Sequence, residues 1–213
     1  MQNTFLFQLL RGLDRRDFRE LRKIVLSPFF NLSENVKVLL EKLSHTEGVS
    51  KFETDRSALI ETVGGREKDL FYAMSALSEN VRQYIAQDSL QNDSFLKNLL
   101  TIKGLRRRKI DQEFERQLKS AFSEHEKSDL RNATWHFQNY QLRLEEYEYQ
   151  HRRTREADLR LQEISDNLNA FYIAEMLRQA CAMRAHAAVT QSHYTQPFLA
   201  EALRQIESGL YTA

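Results

Sequence analysis

Apolar residues recur along most of this chain at three- and four-residue spacing, the period of a helix that buries one face. The cleanest case runs over residues 66–87, where Leu70, Met74, Leu77, Val81, Tyr84 and Ile85 share a stripe. Before it, Phe5, Leu6, Phe7, Leu9, Leu10 and Leu13 predict a short, unusually apolar helix ending at Gly12. Asp14 is placed to cap a second helix that turns Phe18, Leu21 and Val25 inward, with Ser27-Pro28 as its stop. A third helix starts at Ser33, carries Val36, Leu39, Leu40 and Leu43, and is expected to end near Gly48; a shorter one spans residues 54–63. Beyond 87, Asn92 or Asp93 caps a helix holding Phe95, Leu99 and Ile102 and ended by Gly104, and Ile110, Phe114, Leu118 and Phe122 line the next.

The second half carries more than one stripe per helix. Over residues 129–152, Ala133, Phe137, Tyr140, Leu144 and Tyr147 form one stripe and Trp135, Leu142 and Tyr149 another. A two-residue offset puts the stripes about 160° apart, so this helix is predicted to be covered on two sides. Residues 156–189 hold neither Gly nor Pro and again carry apolar positions on several faces, among them Leu161, Ile164, Leu168, Phe171, Tyr172 and Met176. Pro197 opens a last helix with Phe198, Ala202, Leu203 and Ile206 inward.

Composition sharpens this into a fold class. Six Gly and two Pro in 213 residues fall far below the roughly 12% of ordinary chains, which excludes turn-rich sheets and barrels. The expectation is an all-α protein of about nine helices, antiparallel hairpins stacked as an irregular α-solenoid or multi-helix bundle. Residues 1–128 would form an N-terminal helical bundle, and 129–213 a long hairpin plus a terminal helix packed continuously with it. One cysteine, Cys181, among alanines and Met183, reads as an inert buried thiol in a reducing, cytoplasmic setting. The mean hydropathy of −0.60 and the lack of any long apolar window argue against a membrane partner.

Two local words, Leu26-Ser27-Pro28-Phe29-Phe30-Asn31 and Leu168-Asn169-Ala170-Phe171-Tyr172-Ile173-Ala174-Glu175-Met176-Leu177-Arg178, resemble stretches of uncharacterised, all-helical bacterial proteins whose later part looks like tetratricopeptide-type repeats. The full repeat signature is missing: after Trp135, Gln138 and Asn139 occupy the positions expected to hold Leu and Gly. The resemblance implies helical repeats, a longer parent chain and no catalytic residue.

Chemistry is thin. Glu148 and His151 sit three apart as in di-iron bundles, but that site needs the pair twice. Gly64-Gly65 lacks the context of a nucleotide loop, and Glu145, Glu146 and Glu148 fall between the apolar stripes beside Arg143, Arg152, Arg153 and Arg155 as a charged face would. No catalytic residue, metal or cofactor is expected. Two binding readings remain. The leading one is a protein-binding scaffold or adaptor, its partner another protein or a second copy, with Trp135, Phe137, Tyr140, Phe198 and Leu203 as anchors. The alternative is nucleic-acid association through Lys103, Arg106, Arg107, Arg108 and Lys109. A net charge of +1 weighs against it.

Overall fold

A computed structural model describes residues 5–30, 32–43, 56–153 and 159–209. The described residues form α-helices and no strand: α1 (Phe5–Arg11), α2 (Arg15–Val25), α3 (Glu34–Leu43), α4 (Arg56–Thr62), α5 (Glu67–Asn92), α6 (Ser94–Arg108), α7 (Asp111–His125), α8 (Ala133–Gln150), α9 (Leu161–Thr190) and α10 (Leu199–Glu207). A 3₁₀ turn, Pro28–Phe30, follows α2 where Pro28 denies the helix a further donor. The expected end of the third helix near Gly48 lies outside the described residues.

The chain divides into two compact units, Met1–Asn92 and Asp93–Ala213. The division falls earlier than the expected 128/129, because α6 and α7 pack on α8 and on each other.

In the first unit α5 is the post on which α1, α2, α3 and α4 all pack. Leu6, Phe7 and Leu10 of α1, Phe18, Leu21 and Val25 of α2, and Leu39, Leu40 and Leu43 of α3 close on Leu70, Leu77 and Val81 of α5. The apolar first helix is therefore satisfied by its own unit at every buried position, and Phe5 alone among its large apolar residues is exposed. Asp14 caps α2 as predicted: its carboxylate accepts from the Asp17 amide at 2.8 Å, and the Asp17 carboxylate accepts from the Asp14 amide at 2.9 Å. The same Asp17 accepts the Tyr84 hydroxyl of α5 at 2.6 Å, which with the Asp14 bond holds the Asp17 carboxyl below its usual range. Gly64 and Gly65 turn α4 into α5 at φ of 106° and 77°, a region that side chains with a Cβ avoid.

In the second unit the core is made by Leu99 and Ile102 of α6, Phe114 and Leu118 of α7, and Leu142 of α8. Gly104 does not end α6, contrary to expectation. The helix runs a further turn to Arg108, and Lys109 takes the left-handed cap at φ 58°. Arg106, Arg107 and Arg108 in that last turn complement the negative end of the helix dipole, which offsets the cost of continuing through a glycine. The prediction of two covered sides holds for α8. Leu142 faces the α6–α7 core, while Phe137 meets Phe171 of α9 at 4.8 Å and Asn139 donates to Asn167 of α9 at 3.1 Å.

Candidate protein-binding faces

Trp135 sits at the start of α8, where Asn132 caps the helix by accepting from the Trp135 amide. Its indole is already used by its own chain. Nε1 donates to the His125 carbonyl at 3.2 Å, the ring stacks on the His125 imidazole at 4.5 Å, and the Arg131 guanidinium lies 4.0 Å from its centre. Phe137 and Tyr140 are likewise engaged, Phe137 between Phe171 and Tyr140. Phe137 nonetheless keeps 38% of its surface exposed, and of the other expected anchors Phe198 and Leu203 stand exposed.

These two lie beside the most uncovered element of the second unit. Of the 30 residues of α9, Ala180 alone is buried. One side of α9 meets α8 through Phe171, Asn167 and Glu163; Glu163 accepts from Arg143 of α8 at 2.9 Å. Another side meets α10, and between the two helices Tyr172, Ile173, Phe198 and Ala202 line a cavity of about 320 Å³. Leu161, Leu168 and Tyr172 are seven and four residues apart, within about 40° of arc on the helix, and all three are exposed. The sequence showed these residues as surplus apolar positions; what it lacked was the direction each faces. Cys181, expected among packed alanines, is exposed. Nothing among the described residues covers that side of α9, so small neighbours do not bury it.

The basic run is split by the fold. Arg106 turns inward, its guanidinium 2.8 Å from Glu145 and 3.5 Å from Glu148, with Glu145 only 3% exposed. Lys103 is half-buried; Arg107, Arg108 and Lys109 are exposed, and Arg108 donates to the Gly104 carbonyl. Arg152 and Arg153, just past α8, are paired too, Arg152 with Glu148 and Arg153 with Asp111 and Glu115. Glu148 and His151 do not converge on a common centre: the carboxylate serves arginines, and the imidazole stacks on Tyr147. No cluster of three metal-ligating side chains occurs among the described residues, and no helix there is long and apolar enough to cross a membrane.

The His125–Trp135 stack carries a pH dependence. His125 is buried, its Nε2 has no hydrogen-bond partner among the described residues, and desolvation lowers its pKa from 6.5. Glu126 opposes that shift, while Arg131 and His136 add to it. Below pH 6.5 the unfolded chain therefore takes up a proton that the folded one resists. The stability contributed is complete above pH 6.5 and is lost as pH falls from there. Urea midpoints followed by the fluorescence of Trp135, the single tryptophan, are expected to drop between pH 7.5 and 5.5, and His125→Phe is expected to reduce that drop. An equal drop in the variant would refute this assignment.

No protein-family model, curated protein or solved structure matches this chain.

Proposed function

We propose that this chain is a non-catalytic helical scaffold, its helices stacked as antiparallel hairpins, that binds another protein through the α9–α10 face in the cytoplasm. The observation that carries the reading is the exposed stripe Leu161, Leu168 and Tyr172 with Phe198 beside it, on a 30-residue helix that buries one side chain. Contiguous apolar surface of this kind on a soluble domain marks an interaction site more often than chance exposure. A non-catalytic role is supported by how the least exposed of the described arginines are used: Arg106 pairs with Glu145, and Arg143 with Glu146 and Glu163. Nucleic-acid association is the second reading, and it rests on the exposed Arg107, Arg108 and Lys109.

The test is affinity purification of the tagged chain from its native cells with and without nuclease, beside Tyr172→Arg and Arg107→Glu. A stoichiometric protein that survives nuclease and is lost with Tyr172→Arg is the expected result. Partners that vanish with nuclease and with Arg107→Glu, yet persist with Tyr172→Arg, would replace the scaffold reading with the nucleic-acid one.

A further inference from the structure

The first unit carries an apolar groove of its own where α1 and α4 meet α5. Leu70, Phe71, Met74, Ser78 and Arg82 line it, with Phe5 of α1 on one wall and Arg56 of α4 at the rim. From Phe71 its α5 positions Met74, Ser78 and Arg82 advance by three and four, a length of about 17 Å at 1.5 Å per residue. Its volume is about 280 Å³, below the roughly 300–1,000 Å³ typical of small-molecule sites. A shallow volume drawn out over that length suits a row of side chains from a helix better than a compact ligand. Two large aromatics flank it unburied, Phe71 at 67% exposure and Phe5 at 52%, and Tyr72 beside Phe71 is 58% exposed. Phe71 and Tyr72 meet edge to face at 6.0 Å, and the Arg82 guanidinium lies 5.0 Å from the centre of the Phe5 ring. Aromatics and arginines around a groove are the composition of interface hot spots.

Charge decides the occupant. Among the described residues, the charged side chains lining this groove are Arg56 and Arg82, both about half exposed. Each has one surface carboxylate beside it, Glu67 for Arg56 and Glu79 at 3.0 Å for Arg82. Such exposed pairs are weak and exchange readily for a better-placed acid. We propose that this groove docks an amphipathic helix of a partner protein, whose apolar residues at i, i+3 or i+4 and i+7 fill it while an Asp or Glu of the same helix meets Arg82 or Arg56. The inference rests on the protein-binding reading but concerns a different face.

The experiment selects from a phage library of helical twelve- to sixteen-residue peptides on the 213-residue chain, then measures the enriched peptides by fluorescence anisotropy. Expected are sequences that combine Leu, Ile, Phe or Trp at helical spacing with an acidic residue. Their affinity is expected to fall about tenfold to a hundredfold with Phe71→Ala and with Arg82→Glu. Both side chains are largely at the surface, and circular dichroism checks that the variants fold. Tyr172→Arg is expected to leave this binding unchanged, so a failed α9–α10 face and a failed groove give different results. Enrichment of basic peptides, no enrichment at all, or affinity indifferent to Phe71→Ala would overturn the proposal. So would a dimer of this chain in sedimentation that Phe71→Ala dissolves, because the groove would then be filled by a second copy.

Discussion

Glu145→Ala is expected to cost about 3–5 kcal/mol of stability. The carboxylate is 4% exposed and the Arg106 guanidinium that faces it at 2.8 Å is 13% exposed. Removing the carboxylate strands a guanidinium that water reaches poorly, with only the half-exposed Glu148 at 3.5 Å to answer it among the described residues. The loss is set by that stranded charge more than by the net strength of the pair. Glu145→Gln keeps an acceptor without the charge and is expected to lose less. The double variant Arg106→Leu with Glu145→Leu removes both charges together and is expected to recover most of the loss. Urea unfolding followed by Trp135 fluorescence checks all three. A change below about 1 kcal/mol for Glu145→Ala would mean the pair is solvated like an ordinary surface pair. The result bears on function as well: Arg106→Glu would set like charges face to face inside the fold, so any nucleic-acid test must use Arg107, Arg108 or Lys109.

Phe114→Ala is expected to be comparably severe, about 3–5 kcal/mol. The ring is fully buried where α6, α7 and α8 meet, and Tyr149 packs on it at 4.2 Å between centroids. The core of the second unit is small, so little stands ready to refill the vacancy. Phe114→Leu conserves most of the volume and is expected to cost under about 1.5 kcal/mol. A second readout separates local from global effects. Burial, with the hydroxyl donated to Glu115 at 2.6 Å, pushes the Tyr149 pKa up to about 12. Uncovering that ring is expected to bring its titration down toward the ordinary value near 10. A Tyr149 that titrates as before in a folded Phe114→Ala protein would show that the packing does not shield it.

Much of the helix map was readable because several breaks have a local chemical cause. Asp14 and Asp93 cap helices by accepting amides within three residues, and Asn132, absent from the expected caps, does the same for α8. Gly64 and Gly65 supply the positive φ of a turn. Gly104 misled for an equally physical reason: a glycine permits a helix to end, and here the arginines of the next turn stabilise its continuation. The candidate binding faces were far less readable. Phe198 and Leu203 were picked out and are exposed, but Trp135 was picked out on its residue type and is held by His125 and Arg131. Phe71 and Tyr72 gave no signal, since an exposed aromatic and a core aromatic look alike along a helix.

By itself the sequence determined what depends on neighbours within a turn or two: helix propensity, period, caps, and so the all-α class. The tertiary structure alone decided which of several apolar stripes meets a partner helix and which is left to solvent. It also decided that Arg106 faces Glu145 while Arg107 faces water. Rotation of a helix about its axis is set by the elements packed on it, and residues one position apart along the chain lie about 100° apart around that axis.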